Sequence, residues 1–418
     1  MLKKHAGKKH LSFHTPGHKQ GKWDITELSF SDNLSSPQGC IAEAERDIAE
    51  ILGARKSFIL TDGSTAGVLS MLYAAKTLGI KTVAVFENSH KSVFNGCKLL
   101  GLTPLVYTGK RGGEIPKPPT MYELTRGFSS ILEKADALFI TSPDYYGNVA
   151  ELTAMREYCN EKGKLLLVDG AHGGHLHFDK KLHAGSYADM WVDGVHKSLP
   201  ALTQGAVVSA SDEKCADALL EGVNIFRTTS PSYPIMASVE YAVKFPRNKG
   251  LEEEVRAYIN AHPRIYKSTD WTKLCAFFGE YAFEVEKELE NKGIYPEFCD
   301  GNVVMFYLSP STKRKEFHRL KKELDRLFEK YPYNPKKEVE HAPAPIVSIE
   351  NKETEWVETE RAIGRICAND CGLFPPCTPL IRAGERVKKE EAVLLEKGAN
   401  VYGLVDKKIL VVKETKGE

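Results

Sequence analysis

The chain has 418 residues, with 57 lysines and arginines set against 56 aspartates and glutamates. So small a net field recruits neither nucleic acid nor an anionic membrane, and points to a small-molecule partner. The nine cysteines follow no repeated spacing, which reads as reduced thiols in a cytoplasmic protein rather than as a disulfide framework.

The N-terminal "MLKKHAGKKHLSFHTPGHKQG" is basic but leads into no apolar segment. No later run approaches the roughly 18 residues that span a bilayer, so neither secretion nor membrane insertion is expected. Residues 1–35 read as an N-terminal arm. From about Ser57 to Ala210 seven short apolar runs follow: "SFILTD", "TVAVFE", "TPLVYT", "ALFITSP", "LLLVDG", "DMWVDGV" and "GAVVSA". Helical patterns such as "STAGVLSMLYAAKTLG" and "TAMREYCNEKG" lie between them. This alternation predicts an α/β fold, a mostly parallel seven-stranded sheet with helices on both faces, over a large domain at 36–240. The remaining 241–418 are expected to form a smaller α+β C-terminal domain, because a chain of this length outgrows one core. There the pattern reads as a long charged helical region from about Leu251, then "NVVMFYLS" as a strand. In "STKRKEFHRLKKELDRLFEKY" the residues Phe317, Leu320, Leu324 and Phe328 recur at helical spacing. The opposite, basic face of that helix reads as solvated. "YNPKKEVEHAPAP" reads as a connector, and "APIVSIENKETEWVETERAIGRICAND" as a returning strand and helix.

In parallel sheets ligands sit beyond the carboxyl ends of the strands, and three such ends stand out. In "ILTDGSTAG" a strand stops at Gly63, and Ser64 and Thr65 open a helix whose free N–H groups and hydroxyls suit a phosphate; a simple helix cap fits equally well. In "LLLVDGAH" Asp169 ends a buried strand, where a carboxylate needs a cationic or hydrogen-bonding partner to stay ionised; it also suits a turn cap. In "DGVHKSLPALTQG" His196 and Lys197 follow the next strand, where a surface lysine is the plain alternative. Taken together, phosphate donors, an anion and an amine are what pyridoxal 5'-phosphate needs: a cradle, a partner for its pyridine nitrogen and a Schiff-base nitrogen. No G-x-G-x-x-G follows the first strand and no P-loop occurs. The histidines of "HGGHLH", His172 to His177, lack carboxylates or cysteines at zinc-like spacing, and Cys367, Cys371 and Cys377 form no paired C-x-x-C, so no metal is expected.

The ordered motifs "FHTPGHKQG", "DGSTAG", "NSHKS", "TSPDYYGNVAEL", "VDGAHGGH", "HKSLPALTQGAVV", "TTSPSYPIMAS" and "FPPCTPLIRAGERV" run nearly the length of the chain. With them the chain resembles the Orn/Lys/Arg decarboxylases, pyridoxal phosphate enzymes of fold type I. The resemblance implies a decarboxylase of arginine, lysine or ornithine that releases carbon dioxide and the matching amine, a homodimer with active sites near the interface, and a compact form without a receiver-like domain. It implies that Lys197 forms the Schiff base, that Asp169 faces the pyridine nitrogen and that His90 stacks on the ring, although His90 by itself reads more readily as a polar loop residue. Gly63, Ser64, Thr65 and His196 would surround the phosphate or the Schiff base, and His172 the ring and its phenolic oxygen. Lys197 and His196 would serve proton transfer. Thr229, within "TTSP", and the N-terminal "HTPGHK" would complete the site across the dimer.

Three positions depart from the family pattern. Gly194 replaces the serine of Ser-x-His-Lys, which removes a hydroxyl expected to bind phosphate; Glu87 stands where an arginine is common; and Cys377 replaces the glycine of "PPG". Another pyridoxal phosphate lyase or transaminase, or a catalytically silent regulatory paralogue, are the competing readings, since fold does not dictate reaction.

Overall fold

The computed structural model describes residues 1, 6–7, 11–19, 22–107, 115–334, 349, 352–373, 379–398 and 400–413. Most of the connector read at 333–345, most of the apolar start of the segment that follows it, and Cys377 lie outside the described residues.

All seven apolar runs form one sheet. Its strands are β1 (Lys56–Leu60), β2 (Thr82–Phe86), β3 (Thr103–Tyr107), β4 (Ala137–Thr141), β5 (Leu165–Gly170), β6 (Met190–Asp193) and β7 (Ala206–Ala210). They lie in the order β1-β7-β6-β5-β4-β2-β3. The pairs from β3 to β6 are parallel, and β7 runs antiparallel to both β1 and β6. Along the strands, alternate side chains enter two separate cores. Ile59, Ala84, Leu138, Val168, Trp191 and Val207 face one layer of helices. Leu60, Val85, Phe139, Leu167, Val192 and Val208 face the other. Burial on both faces is the reason the strands read as continuous apolar runs rather than as an alternation.

The helix Gly63–Thr77 starts directly from the end of β1. Gly67 lets it lie against β6, since a Cβ there would stand 2.5 Å from Val192 Cγ2. Its first turn is thereby held over the carboxyl ends of the central strands. Asp32 accepts from the amides of Gln38, Gly39 and Ile41 at 2.8–3.0 Å and fastens the start of the helix Cys40–Leu52.

Beyond residue 243 the charged region is not one long helix. His262 and Pro263 close the helix Lys249–Ala261, because proline cannot continue it. The fully buried "KLCAF" then forms a strand, β8 (Lys273–Phe277), before a second helix at Ala282–Asn291. With β9 (Phe298–Cys299) and β10 (Val303–Tyr307) it makes an antiparallel sheet in the order β8-β10-β9. The helix Arg314–Lys330 packs Phe317, Leu320 and Leu324 into the core of this sheet, with Phe328 partly buried beside them. Farther on, the strands Thr354–Glu358 and Lys408–Val412 pair around a separate cluster that includes Cys367, Cys371, Ile381 and Val411. No helix among the described residues is long and apolar enough to cross a membrane.

Candidate active site

A cavity of about 690 Å³ opens beyond the carboxyl ends of β1, β2, β4, β5 and β6, and is closed on its far side by the β9–β10 turn and by Leu373, Leu380 and Leu394. Gly63, Ser64, Thr65, His90, Asp169, His172, His196 and Lys197 all line it. Thr229 does not: it is exposed in the segment after the helix Glu213–Phe226. The neighbouring Thr228 amide donates to Asp62 across 3.3 Å.

Each of these side chains is held by local structure. Lys197 sits in the single turn Val195–Ser198 that follows β6, and its Nζ lies 3.1 Å from His172 Nε2. The ammonium donates and the imidazole nitrogen accepts. His172 is 8% exposed, with the Tyr145 ring edge-on at 4.9 Å and the Tyr307 ring stacked at 6.2 Å. Burial, reinforced by the charge on Lys197, drives its pKa well below the usual histidine value, so the ring is neutral. His196 points its Nδ1 at the Gly205 carbonyl, 2.9 Å away, which makes Nδ1 the protonated nitrogen. His90 precedes the helix Lys91–Leu100 and accepts the Ser92 amide at 3.2 Å. Burial first, and then Lys197, push it down to about 4.

Asp169, 3% exposed at the end of β5, accepts the Ala171 amide at 3.1 Å. Burial raises its pKa, while the positive charge of Lys197 works against the rise. A carboxylate so placed is suited to a cationic ring nitrogen, which would relieve its desolvation. The Ser64 hydroxyl is buried with no hydrogen-bond partner, at the start of the helix Gly63–Thr77, whose first amides are unspent. The Gly63 amide is already committed to the Gln204 carbonyl at 2.9 Å. These features fit pyridoxal phosphate: an orphaned hydroxyl at a helix start for the phosphate, a buried anion for the pyridine nitrogen and an amine between them.

Gly194 takes on a different meaning here. A Cβ at that position would stand 2.2 Å from the Ala171 carbonyl oxygen and 2.9 Å from Ser64 Oγ. The space a serine at 194 would occupy is already filled, in part by another hydroxyl. Glu87 is buried, and Arg382 from the C-terminal segment donates to its backbone carbonyl.

Sequence reasoning missed a second group of residues. Lys273 and Asp270, both fully buried, pair at 2.5 Å, and His175 Nε2 lies 2.8 Å from the other Asp270 oxygen. Tyr307 donates to the His172 carbonyl at 3.1 Å. Asp144 and Tyr145 stood within the quoted "TSPDYYGNVAEL". Lys273, Tyr307, Asp300 and Asn302 carried no local signal, because they come from the smaller sheet and its turns. Among the described residues, no group of three or more histidines, cysteines or acidic residues could hold a metal ion.

A family model described as the Orn/Lys/Arg decarboxylase major domain matches residues 1–278. A Bacillus subtilis (strain 168) protein named as uncharacterized protein YaaO is 31% identical over 448 residues, covering 95% of this chain and 92% of its own. An arginine decarboxylase of the same organism is 26% identical over 480 residues, covering 99% and 97%. Among solved structures, the Escherichia coli constitutive lysine decarboxylase superimposes with a TM-score of 0.71 at 19% identity, over 99% of this chain and 81% of that one. At that identity the likeness speaks to the fold.

Proposed function

The chain belongs to the Orn/Lys/Arg decarboxylase family, and from that premise we propose that pyridoxal phosphate binds in the cavity described above, with Lys197 as its covalent anchor. The protein is a decarboxylase of a basic amino acid. The observation that carries the assignment of residues is the Lys197 amine, 3.1 Å from a neutral His172, in the same cavity as the buried Asp169 and the unpartnered Ser64 hydroxyl.

When bound, pyridoxal phosphate supplies an electron sink for the pair left behind by departing carbon dioxide. The chain's own residues do the rest. Ser64, with the first free amides of its helix, holds the phosphate, and Thr65 stands beside it at the cavity wall. Asp169 stays ionised against the pyridine nitrogen and keeps a proton there. His90 is neutral, so it can lie on the ring face without adding positive charge beside Lys197. His172 accepts from Lys197 Nζ and orients it, and Lys197, with His196 beside it, is placed to return a proton to the substrate carbon. Positioning decides which bond breaks.

A phosphate hydroxyl missing at 194 would favour a silent paralogue, but Ser64 Oγ, 2.9 Å from where a Cβ at 194 would stand, supplies a hydroxyl at that place. We also read the protein as a cytoplasmic homodimer divided into an arm, a large domain and a small domain, with Thr229 and the arm reaching the partner's site. The exposed Leu11, Phe13 and Trp23 of the arm and an apolar groove of about 430 Å³ along Trp23, Ile41, Tyr233 and Met236 support such pairing.

The test is to purify the protein with cofactor, offer arginine, lysine and ornithine separately, and measure carbon dioxide and amine. Stoichiometric amine from one substrate, abolished in Lys197→Ala together with the cofactor's visible absorbance, is the expected result. A keto acid in place of the amine would transfer the reading to a transaminase. No cofactor absorbance in the wild type would end it.

A further inference from the structure

His172 stands in the turn that follows β5. The Gly173 amide donates to the Gly170 carbonyl at 2.7 Å and closes this turn, which leaves the His172 carbonyl outside the closing bond. A buried carbonyl must find a donor elsewhere. It finds two, both from the smaller sheet: Lys273 Nζ at 2.7 Å and the Tyr307 hydroxyl at 3.1 Å. They arrive together because Lys273 and Tyr307 lie opposite each other in the register of β8 and β10. Lys273 is fixed in turn by its ion pair with Asp270, and its ammonium lies 4.2 Å from the centre of the Tyr307 ring.

The neutral ring of His172 carries a hydrogen on one nitrogen and a lone pair on the other, and the partners decide which is which. Nε2 faces the Lys197 amine at 3.1 Å. An ammonium has only hydrogens to give, so Nε2 holds the lone pair and Nδ1 the hydrogen. Among the described residues, the polar atom placed to receive that hydrogen is Tyr307 Oη, 3.5 Å away.

Tyr307 Oη is suited to receive it, because its own hydrogen is directed at the His172 carbonyl. Burial, followed by the negative charges of Asp270 and Glu297, holds the phenol well above the ordinary tyrosine pKa, so the hydroxyl keeps that hydrogen. One oxygen thus joins the ring of His172 to the carbonyl of the same residue. A tyrosine that only filled space would need neither contact. The two together restrain both the rotation of the ring and its tautomer.

We propose that Tyr307 is a positioning residue for the reaction: it holds His172 in the Nδ1–H tautomer and so keeps the Nε2 lone pair directed at Lys197. The proposal rests on Lys197 as the reacting amine of the decarboxylase reading. Without the Tyr307 oxygen, the hydrogen on Nδ1 has no described acceptor, and the ring gains by moving it to Nε2 or by turning over. Either change sets an N–H against the Lys197 ammonium and removes the acceptor that orients it. Tyr307 is not among the residues that line the cavity, so its effect on substrate passes through His172.

The experiment combines nuclear magnetic resonance of the full chain, isotopically labelled at its histidine nitrogens, with steady-state kinetics of the cofactor-loaded protein. Proton–nitrogen correlations distinguish the two imidazole tautomers, and His172→Gln assigns the His172 signals by their absence. The wild type is expected to show His172 as Nδ1–H, with and without cofactor. Tyr307→Phe, which keeps the ring and removes one oxygen, is expected to give the Nε2–H form or a mixture. It is also expected to lower kcat about tenfold, the scale of one lost hydrogen bond, with KM and the cofactor's absorbance unchanged. A wild type with His172 as Nε2–H overturns the proposal and needs no variant to fold. A Tyr307→Phe protein that keeps the single Nδ1–H form, or loses it with kcat intact, also overturns it. A wild type that shows the Tyr307-dependent tautomer yet releases no carbon dioxide overturns the decarboxylase reading and retains the hold of Tyr307 on His172.

Discussion

Lys273 Nζ donates to the main-chain oxygen of His172 across 2.7 Å and so ties the smaller sheet to the loop that follows β5. Its other two donors go to Asp270 Oδ2 at 2.5 Å and to Thr272 Oγ1 at 3.1 Å, and the ammonium lies 4.2 Å from the centre of the Tyr307 ring. Every donor of a completely buried ammonium is therefore used. Burial works to raise the Asp270 pKa, but His175 and Lys273 outweigh it and hold the carboxyl below the ordinary range.

Removing one member of this pair leaves the other charged and buried. Lys273→Met is expected to cost about 3–5 kcal/mol of stability. The double variant Lys273→Met with Asp270→Leu is expected to cost clearly less than the sum of the two single changes. Urea unfolding of the four proteins in a double-mutant cycle measures the coupling, and strict additivity would show that the pair is not a unit.

At the phosphate end, Ser64→Ala is expected to raise the dissociation constant for pyridoxal phosphate by about tenfold, the equivalent of one hydrogen bond to a charged group. Gly194→Ser, which restores the family's usual hydroxyl, is expected to bind the cofactor no better and to lose about 1–3 kcal/mol of stability by overpacking, since its Cβ meets the Ala171 carbonyl oxygen at 2.2 Å. Fluorescence titration and thermal unfolding read the two effects separately. A stabilised Gly194→Ser protein would contradict the geometry.

Asp169→Asn keeps the shape of the side chain and removes its charge. The expected result is retained cofactor with kcat lower by at least about 10²-fold, the scale for loss of one preorganised electrostatic stabiliser. Absorbance reports the cofactor and single-turnover carbon dioxide release reports the chemistry. Activity near that of the wild type would remove Asp169 from its assigned role.

The histidine His90 gives a pH dependence of stability with a definite sign. Its pKa falls from 6.5 unfolded to about 4 folded, so between these values the unfolded chain binds more protons. Its contribution is present above pH 6.5 and is lost as pH falls through about 4, and it amounts to about 2–3 kcal/mol. His90→Asn is expected to reduce the difference in unfolding free energy between pH 7 and pH 4 by that order, as seen in urea titrations of the apoprotein at both values. An equal pH slope in the variant would mean that His90 is not neutral and desolvated.

The sequence by itself determined the large sheet and the residues at its strand ends. Runs such as "LLLVDG" and "DMWVDGV" are apolar on both faces, because each strand lies between two helix layers. Where such a run stops at Asp169, or just short of Lys197, the polar residue necessarily stands at a carboxyl edge. These are local facts, written in consecutive residues. The strand "KLCAF" was less legible, since five buried residues within charged surroundings have no period that separates strand from helix.

Only the tertiary structure decided what faces those strand ends. Asp300 and Asn302 reach the cavity, and Lys273 and Tyr307 brace His172 at its wall, because the β8-β10-β9 sheet packs against the loops after β4 and β5, a juxtaposition spanning more than a hundred residues of chain, as between Lys273 and His172. Gly194 likewise reads in sequence as a missing hydroxyl, and in space as a position where the Ala171 carbonyl leaves no room for a side chain. Periodicity records how a segment meets its immediate layer. The partners of a buried polar group are chosen by packing between distant segments, and this packing leaves no local pattern in the sequence.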